Sequence, residues 1–264
     1  MKGIVINAFR YILRGITLSG ISRGPIRKWI NEAWYLTGAD IVQAKINGIH
    51  YELHINQNTT DCKILTSSKF YDKRELEFLA RAESGKGKRC FVDVGANIGY
   101  YSLNLAQMGV EKIVAIEPNP PTREILQRNI AANEQGKTIA VSDFCVGAGG
   151  EIPFYMSGEL GSASVFEEDH TGSCVMVKSA PLKQIVQENG IEGITCMKLD
   201  IEGYEDRALR PFFESTERDL WPQRMIIEHC NSEKWEPDFE AYLDSIGFRT
   251  VKKTRANLFL QLAI

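Results

Sequence analysis

A glycine-rich stretch, FVDVGANIGYY at residues 91–101, has the pattern of a strand that runs through a tight turn into a helix. Gly95 and Gly99 allow the positive φ angles and the close backbone approach that such a turn requires. Glu117 ends the next apolar segment, and its two carboxylate oxygens suit the two hydroxyls of a ribose. The pattern therefore predicts a site for a cofactor that contains a nucleoside.

The residues around this turn favour S-adenosylmethionine over NAD. A dinucleotide fingerprint would place a glycine at Asn97, where it lets a pyrophosphate approach the main chain. Asp93, inside the preceding strand, is unfavourable beside a diphosphate but suits the ammonium group of a methionine. The P-loop pattern G-x-x-x-x-G-K-[ST] does not occur in the sequence. An NAD-dependent oxidoreductase remains the enzymatic alternative.

A second motif, MKLDIEGYED at residues 197–206, has the composition of a catalytic network. Lys198 and Asp200 alternate onto one face of an apolar strand, and a buried ammonium group requires a carboxylate partner. Asp200 is the nearest partner in sequence, and Glu228 at the end of a later strand is another. Asp200 or His229 would accept a proton in a network of Lys198, Asp200, Glu228 and His229.

The same acidic residues permit two other interpretations. In the first, Asp200 and Glu228 hold a Mg²⁺ ion that acidifies a hydroxyl group, because this ion prefers oxygen ligands. We prefer the network without a metal. In the second, acids at the start of a helix cap free N–H groups and suit the helix dipole. This structural role is the one that we expect for Glu202, Glu205 and Asp206.

The segments that carry these residues alternate between strand and helix patterns. Strands are predicted at 90–94, 112–116, 138–145, 151–155, 174–178, 195–199 and 224–228, with helices at 71–81, 100–108, 121–133, 181–189, 204–214 and 239–246. Two last strands, 248–252 and 258–262, are too close for a crossover helix and form an antiparallel hairpin. The predicted fold class is α/β, a doubly wound, mostly parallel sheet with that C-terminal hairpin. Ligands of such sheets bind beyond the carboxyl ends of the strands.

Three motifs, FVDVGANIGYYSL, IEPNP and MKLDIEGYE, together resemble those of the FkbM family of S-adenosylmethionine-dependent methyltransferases. The resemblance covers about residues 70–264 and implies a class I, Rossmann-like methyltransferase fold. It also implies methyl transfer to a hydroxyl group of a saccharide, a glycolipid or a related natural product. Outside the enzymes, the alternative is a scaffold protein that binds the cofactor without catalysis.

The resemblance assigns the cofactor to the first motif. Asp93 would support the amino-acid part of the cofactor, and Glu117 would bind the ribose. The amino-acid part itself would be held by the turn residues Gly95, Ala96, Asn97 and Gly99.

Other residues of the domain receive roles from the same resemblance. Cys145 and Val146 would flank the adenine, although relatives often have Ala-Leu-Gly where this chain has Cys-Val-Gly. Tyr100 or Tyr101 would face the sulfonium through cation–π attraction, or would be a core aromatic residue. The small polar loop at 157–164 would contact the acceptor or simply turn the chain.

The amino-terminal part has a different character. Residues 1–31 contain basic residues and no acidic residue, in a helical amphipathic pattern, and Ile41–Ile55 carries the hairpin signal Asn47-Gly48. We predict a helical and β-hairpin extension at 1–69 and a methyltransferase domain at 70–264. The basic segment packs on its own domain, or it contacts an anionic membrane surface or a partner such as a second copy in a homodimer, or it is an organelle-targeting segment.

The composition limits the kinds of partner and the cellular compartment that we expect for this protein. A net charge of −3 implies no general attraction to nucleic acid, and no apolar run reaches the roughly 20 residues of a membrane-spanning helix. The six cysteines include no CxxC pair, which is typical of free thiols in a reducing compartment. We therefore predict a cytoplasmic protein, with peripheral contact to the inner membrane face as an option.

Overall fold

A computed structural model describes residues 13, 30, 32–34, 36–38, 40–67, 71–83, 87–156, 160, 163–167 and 173–263. The chain divides into two compact units, Met1–Lys73 with Gly158–Gly161 and Arg74–Ser157 with Ser162–Ile264. The predicted division into 1–69 and 70–264 stays a prediction. The basic segment at 1–31 lies outside the described residues except for Leu13 and Ile30.

The first unit contains a β-hairpin followed by a helix. Strands β1 (Ile41–Ile46) and β2 (Ile49–His54) pair antiparallel, and Asn47 and Gly48 between them both have positive φ, as predicted. Helix α1 (Thr59–Ser67) was not predicted, because TTDCKILTS has little helical amphipathic pattern. Its start is stabilised locally, since Asn58 Oδ1 accepts a hydrogen bond from Thr60 N at 2.9 Å.

The predicted elements of the rest of the chain are found within two residues of their predicted boundaries, apart from the strand expected at 138–145. The short strand Ala163–Ser164 was not predicted and lies in the expected polar loop at 157–164, of which residues 157–159, 161 and 162 are outside the described residues. The helices are α2 (Lys73–Ala80), α3 (Tyr100–Gln107), α4 (Pro120–Ala132), α5 (Leu182–Glu188), α6 (Glu205–Ser215) and α7 (Phe239–Ser245). The strands are β3 (Cys90–Val94), β4 (Lys112–Ile116), β5 (Ile139–Ser142), β6 (Cys145–Val146), β7 (Gly150–Met156), β8 (Ala163–Ser164), β9 (Cys174–Ala180), β10 (Cys196–Leu199), β11 (Arg224–Glu228), β12 (Phe248–Lys253) and β13 (Asn257–Leu262).

Seven of these strands form the central sheet, in the order β12-β13-β11-β10-β3-β4-β5. The five strands from β11 to β5 are parallel, whereas β13 pairs antiparallel with both β11 and β12. This arrangement is the class I, Rossmann-like methyltransferase sheet that the sequence predicted, including its antiparallel C-terminal hairpin. The carboxyl ends of β11, β10, β3 and β4 consequently lie next to one another along one edge.

Successive side chains of the central strands alternate between the two faces of the sheet, so that one face carries apolar residues and the other carries Asp93 and Lys198. Val92 and Val94 of β3 and Met197 and Leu199 of β10 enter a core that also contains residues of α5, α6 and α7. The intervening Asp93 and Lys198 belong to the opposite face and are partners in the parallel register. Both residues are buried there, so the sheet is covered on both faces.

The exception to the predicted boundaries is the strand expected at 138–145. Strand β5 ends at Ser142, whose Oγ accepts a hydrogen bond from Phe144 N at 3.4 Å and turns the chain. Cys145 and Val146 instead form β6, which pairs with β9 in a separate four-stranded sheet of order β6-β9-β7-β8. The apolar pattern continues through this turn, so periodicity alone predicted one strand.

Candidate active site

The glycine turn after β3 is tied to its neighbours by close backbone contacts. Gly95 and Gly99 have φ of 79° and 89°, and Asn97 between them also has a positive φ of 50°. A Cβ atom on Gly95 would lie 2.0 Å from the main-chain oxygen of Asp200, and one on Gly99 would lie 2.5 Å from Leu126 Cδ1. Gly95 is therefore required for packing against a main-chain atom, whereas Leu126 can move away from a side chain at 99 and Gly99 is required mainly by its positive φ.

Glu117 fastens this turn from the end of β4. Its Oε2 accepts a hydrogen bond from Asn97 N at 2.8 Å, and its Oε1 accepts one from Asn119 N at 2.9 Å. Gly95 N and Ala96 N also donate to Ile116 O, the last carbonyl of β4. Burial raises the pKa of Glu117 to about 7, although these amide hydrogen bonds oppose the rise.

Asp93 is the most deeply buried acid of the turn. Its Oδ2 accepts a 2.6 Å hydrogen bond from Ser102 Oγ, a partner that the sequence reasoning missed. Its Oδ1 is buried and has no hydrogen-bond partner among the residues that the structure describes. Burial raises the pKa of Asp93 to about 6, against the opposing charge of Lys198. An unsatisfied carboxylate oxygen beside a glycine turn fits the ammonium group of an amino-acid cofactor.

The residues predicted to flank the adenine lie near Glu117. Cys145 and Val146 are buried, and burial raises the pKa of the Cys145 thiol to about 12, with a further contribution from the charge of Glu117. Tyr100 and Tyr101 are buried at the start of α3. The ring centroid of Tyr101 lies 4.7 Å from Lys198 Nζ, so this ring faces a cation of the protein.

Lys198 and Asp200 form the ion pair that the sequence predicted. Lys198 Nζ lies 2.7 Å from Asp200 Oδ2, with side-chain exposures of 5% and 39%. The buried ammonium group thus has one carboxylate, Asp200, just after the end of its own strand and another, Asp93, beside it in β3.

Glu228 ends β11 next to this pair. Burial, together with the charges of Asp200 and Glu202, raises its pKa to about 8. Its Oε2 is buried without a hydrogen-bond partner within the described ranges. A carboxyl group with these properties is a suitable general base near neutral pH.

His229, by contrast, is attached to the C-terminal hairpin. Its Nε2 lies 3.0 Å from Thr254 O, and its main-chain N donates to Ala256 O at 2.8 Å. These bonds connect the segment after β11 to the turn between β12 and β13. The structure therefore gives His229 an anchoring contact, whereas its predicted part in proton transfer stays a prediction.

The three acids expected to be structural divide into two groups. Glu205 accepts hydrogen bonds from Ile201 N and Gly203 N, which precede α6, and Asp206 accepts one from Glu236 N of another segment. Asp206 also accepts a bond from Arg207 N, an N–H group in the first turn of α6, as the predicted capping role requires. Glu202 differs, because its Oε2 accepts a 2.9 Å hydrogen bond from the distant Asn231 and its φ is 56°. Burial and the charge of Asp200 raise the pKa of Glu202 to about 7.

The Mg²⁺ alternative finds no support in this geometry. Among the described residues, no group of three or more His, Cys, Asp or Glu side chains is arranged to hold a metal ion.

The described helices also include none with the length and apolar character needed to cross a membrane.

Comparisons with known proteins found sequence relatives and solved structures that are similar to parts of this chain. The methyltransferase sdnD of Sordaria araneosa is 26% identical over 194 residues, which are 60% of this chain and 72% of that protein. A tRNA(Phe) (4-demethylwyosine(37)-C(7)) aminocarboxypropyltransferase of Pyrococcus horikoshii is 32% identical over 123 residues, 46% of this chain and 40% of that protein. The solved METTL16 methyltransferase domain superposes with a TM-score of 0.49 at 11% identity, covering 82% of this chain and 73% of that one.

A family model, described as the methyltransferase FkbM domain, matches residues 93–250. This range is more than half of the chain, and it begins at Asp93 and includes Glu117, Asp200 and Glu228. The chain belongs to the FkbM methyltransferase family.

Proposed function

We propose that this protein is an S-adenosylmethionine-dependent O-methyltransferase that acts on a hydroxyl group of a saccharide, a glycolipid or a related natural product. One observation carries the proposal. Four adjacent strands, in the sheet order β11-β10-β3-β4, bear an acid at or beside their carboxyl ends: Glu228, Asp200, Asp93 and Glu117. Two of these acids border the cofactor turn, and the other two border the adjacent space where an acceptor would bind.

The residues that would hold the cofactor fit its chemistry. Asp93 offers an unsatisfied carboxylate oxygen for the ammonium group, and Glu117 offers carboxylate lone pairs for the ribose hydroxyls. When it is bound, S-adenosylmethionine supplies an electrophilic methyl group on its sulfonium sulfur. The remaining contacts would come from Gly95, Ala96, Asn97, Gly99, Tyr100, Cys145 and Val146.

The other two acids would handle the acceptor hydroxyl. Asp200 is partly exposed and held by Lys198, so it is placed to accept a hydrogen bond from the hydroxyl and align its oxygen. Glu228 would accept the proton that the acceptor hydroxyl loses on methylation, a reaction that leaves the cofactor as S-adenosylhomocysteine. Its raised pKa makes it a stronger base than an ordinary carboxylate, which is too weak toward an alcohol.

Calorimetric titration tests the cofactor part of this proposal. We expect S-adenosylhomocysteine to bind and NADH not to bind; tight binding of NADH alone would indicate an oxidoreductase instead.

With radiolabelled S-adenosylmethionine and a panel of saccharides and glycolipids, we expect a methyl ether product. Asp200→Asn should retain cofactor binding and lose turnover, and an unchanged turnover would remove Asp200 from the mechanism.

We further propose a cytoplasmic location in which the basic segment at 1–31 contacts an anionic membrane surface. Its positive charge supports this, because each basic residue near such a surface gains roughly 1 kcal/mol. Sedimentation with anionic liposomes tests it. The full chain should sediment and a chain starting near residue 35 should not, whereas equal sedimentation would contradict the proposal. Light scattering of the same two chains would show whether the segment supports a homodimer.

A further inference from the structure

Four side-chain hydrogen bonds join the start of α6 to the segment that follows β11. The two segments carry different parts of the candidate site, since Asp200 precedes the first and Glu228 precedes the second. The bonds are Trp235 Nε1 to Glu205 Oε2 at 2.8 Å, Asn231 Nδ2 to Glu202 Oε2 at 2.9 Å, Glu236 N to Asp206 Oδ2 at 2.9 Å, and Arg210 Nη2 to Asp238 Oδ1 at 2.8 Å.

The bond between Trp235 and Glu205, which we call the clasp, is the buried one of these four. Glu205 is 1% exposed and Trp235 is 7% exposed. The second oxygen of Glu205 accepts hydrogen bonds from Ile201 N at 2.9 Å and Gly203 N at 3.3 Å. One buried carboxylate thus binds the turn after Asp200 with one oxygen and the segment after Glu228 with the other.

The turn held in this way is strained. Glu202 and Gly203 occupy its two central positions with φ of 56° and 98°, and Tyr204 N donates to Ile201 O at 3.3 Å across it. A glutamate in the left-handed region is unfavourable, and such residues persist only where the surrounding contacts hold them. The clasp and Asn231 supply those contacts.

We propose that Trp235 is a positioning residue for methyl transfer: through Glu205 it holds the turn that carries Asp200 and Glu202 against the segment that carries Glu228. The inference rests on the proposed function for the role of Glu228 as base. The like charges of Asp200, Glu202 and Glu228 repel one another, so their proximity requires a restraint of this kind. The positive charge of Lys198 opposes this repulsion at Glu228, whereas the charge of Glu205 adds to it. The Cys230 thiol also interacts with Glu228.

The test compares Trp235→Phe with a matched variant, Trp221→Phe. Trp221 Nε1 also donates to a side chain, Thr216 Oγ1 at 3.0 Å, but it packs on Phe213 and Phe248 away from the acids. Both variants lose one indole donor and keep an aromatic ring, so both should unfold at lower temperature. Only Trp235→Phe should lower kcat, by about tenfold, with KM for S-adenosylmethionine and affinity for S-adenosylhomocysteine within twofold of the wild type. An equal effect of the two variants on kcat would overturn the proposal.

A second measurement separates this inference from the proposed function. The titration midpoint of the Glu228 carboxyl, followed by carbon NMR, needs no acceptor and should fall in Trp235→Phe but not in Trp221→Phe. Absence of methyl transfer by the wild type would refute the proposed function, and the midpoint would then decide the positioning role by itself. If Trp235→Phe fails to fold, Asn231→Ala can replace it. This variant removes the hydrogen bond from Asn231 to Glu202 and should also lower the titration midpoint of Glu228. An unchanged midpoint in a folded variant would overturn the inference.

Discussion

Lys198 Nζ lies 2.7 Å from Asp200 Oδ2, while the strand register places Lys198 directly beside Asp93. One buried ammonium group therefore compensates Asp93, which precedes the glycine turn, and Asp200, which we propose to bind the acceptor. Without that positive charge, two carboxylates on adjacent strands would repel each other in a region that largely excludes water. Lys198 is thus the positive charge that balances the acids of the site.

Replacement of Lys198 by Met should lower the free energy of unfolding by about 3 kcal/mol, because it leaves buried Asp93 without its compensating charge. Urea unfolding at neutral pH measures the loss. The control is Lys178→Met. Lys178 Nζ lies 3.9 Å from Asp143 Oδ2, and both side chains are exposed. This change should cost less than about 1 kcal/mol. Equal losses in the two variants would show that Lys198 is not electrostatically special.

The pH dependence of turnover should identify the base. Because the pKa of Glu228 is raised to about 8 and only its deprotonated form accepts a proton, kcat/KM should rise with pH and level off above about pH 8. Glu228→Gln should lower kcat by about a hundredfold or more and remove this rise. Glu233→Gln, at an exposed glutamate nearby, is the control and should leave the profile unchanged. A wild-type profile that is already flat from pH 6 would show that Glu228 is not the base.

Tyr101 should serve Lys198 in preference to the sulfonium. Tyr101→Leu removes the ring that faces Lys198 and should lower kcat roughly tenfold, the order of a desolvated cation–π contact, whereas Tyr101→Phe should retain activity. Titration with the cationic S-adenosylmethionine and the neutral S-adenosylhomocysteine distinguishes the two roles. If the ring served the sulfonium, Tyr101→Leu would weaken binding of S-adenosylmethionine but not of S-adenosylhomocysteine. We expect the ratio of the two affinities to be the same in Tyr101→Leu as in the wild type.

Gly95 should be the least replaceable glycine of the turn. Gly95→Ala places a Cβ 2.0 Å from Asp200 O and imposes a φ of 79° on a residue with a side chain. The free energy of unfolding should fall by more than about 3 kcal/mol, and cofactor binding should be lost with the turn. Gly149→Ala is the control, because Gly149 has a φ of 108° but no atom lies within 4 Å of an added Cβ. Its free energy of unfolding, measured by thermal unfolding, should fall by about 1–2 kcal/mol. Similar losses would mean that backbone conformation, and not the contact with Asp200, decides the cost.

The order of strands and helices in the second unit could be predicted from the sequence because burial imposes a local period on each element. The run CFVDV and the run CMKL are continuous enough to indicate buried parallel strands, and the single polar residue in each, Asp93 or Lys198, identified the site. Where the local signal was misleading, the structure differs. The apolar pattern through Ser142 to Cys145 concealed the break between β5 and β6, and the mixed composition of Thr59–Ser67 concealed α1.

By itself, the sequence determined which residue types stand at the ends of the strands, because turns and strand ends are local features of the chain. The tertiary structure alone decided which of those residues meet. Lys198 lies beside Asp93, 105 positions earlier in the chain, because β10 pairs with β3, and Trp235 reaches Glu205 because β11 pairs with β10. Such contacts depend on strand order and on packing over long sequence separations, where no local periodicity carries information. The physical properties of the site, namely the raised pKa of Glu228, the unsatisfied oxygen of Asp93 and the strained turn at Glu202, arise from those contacts.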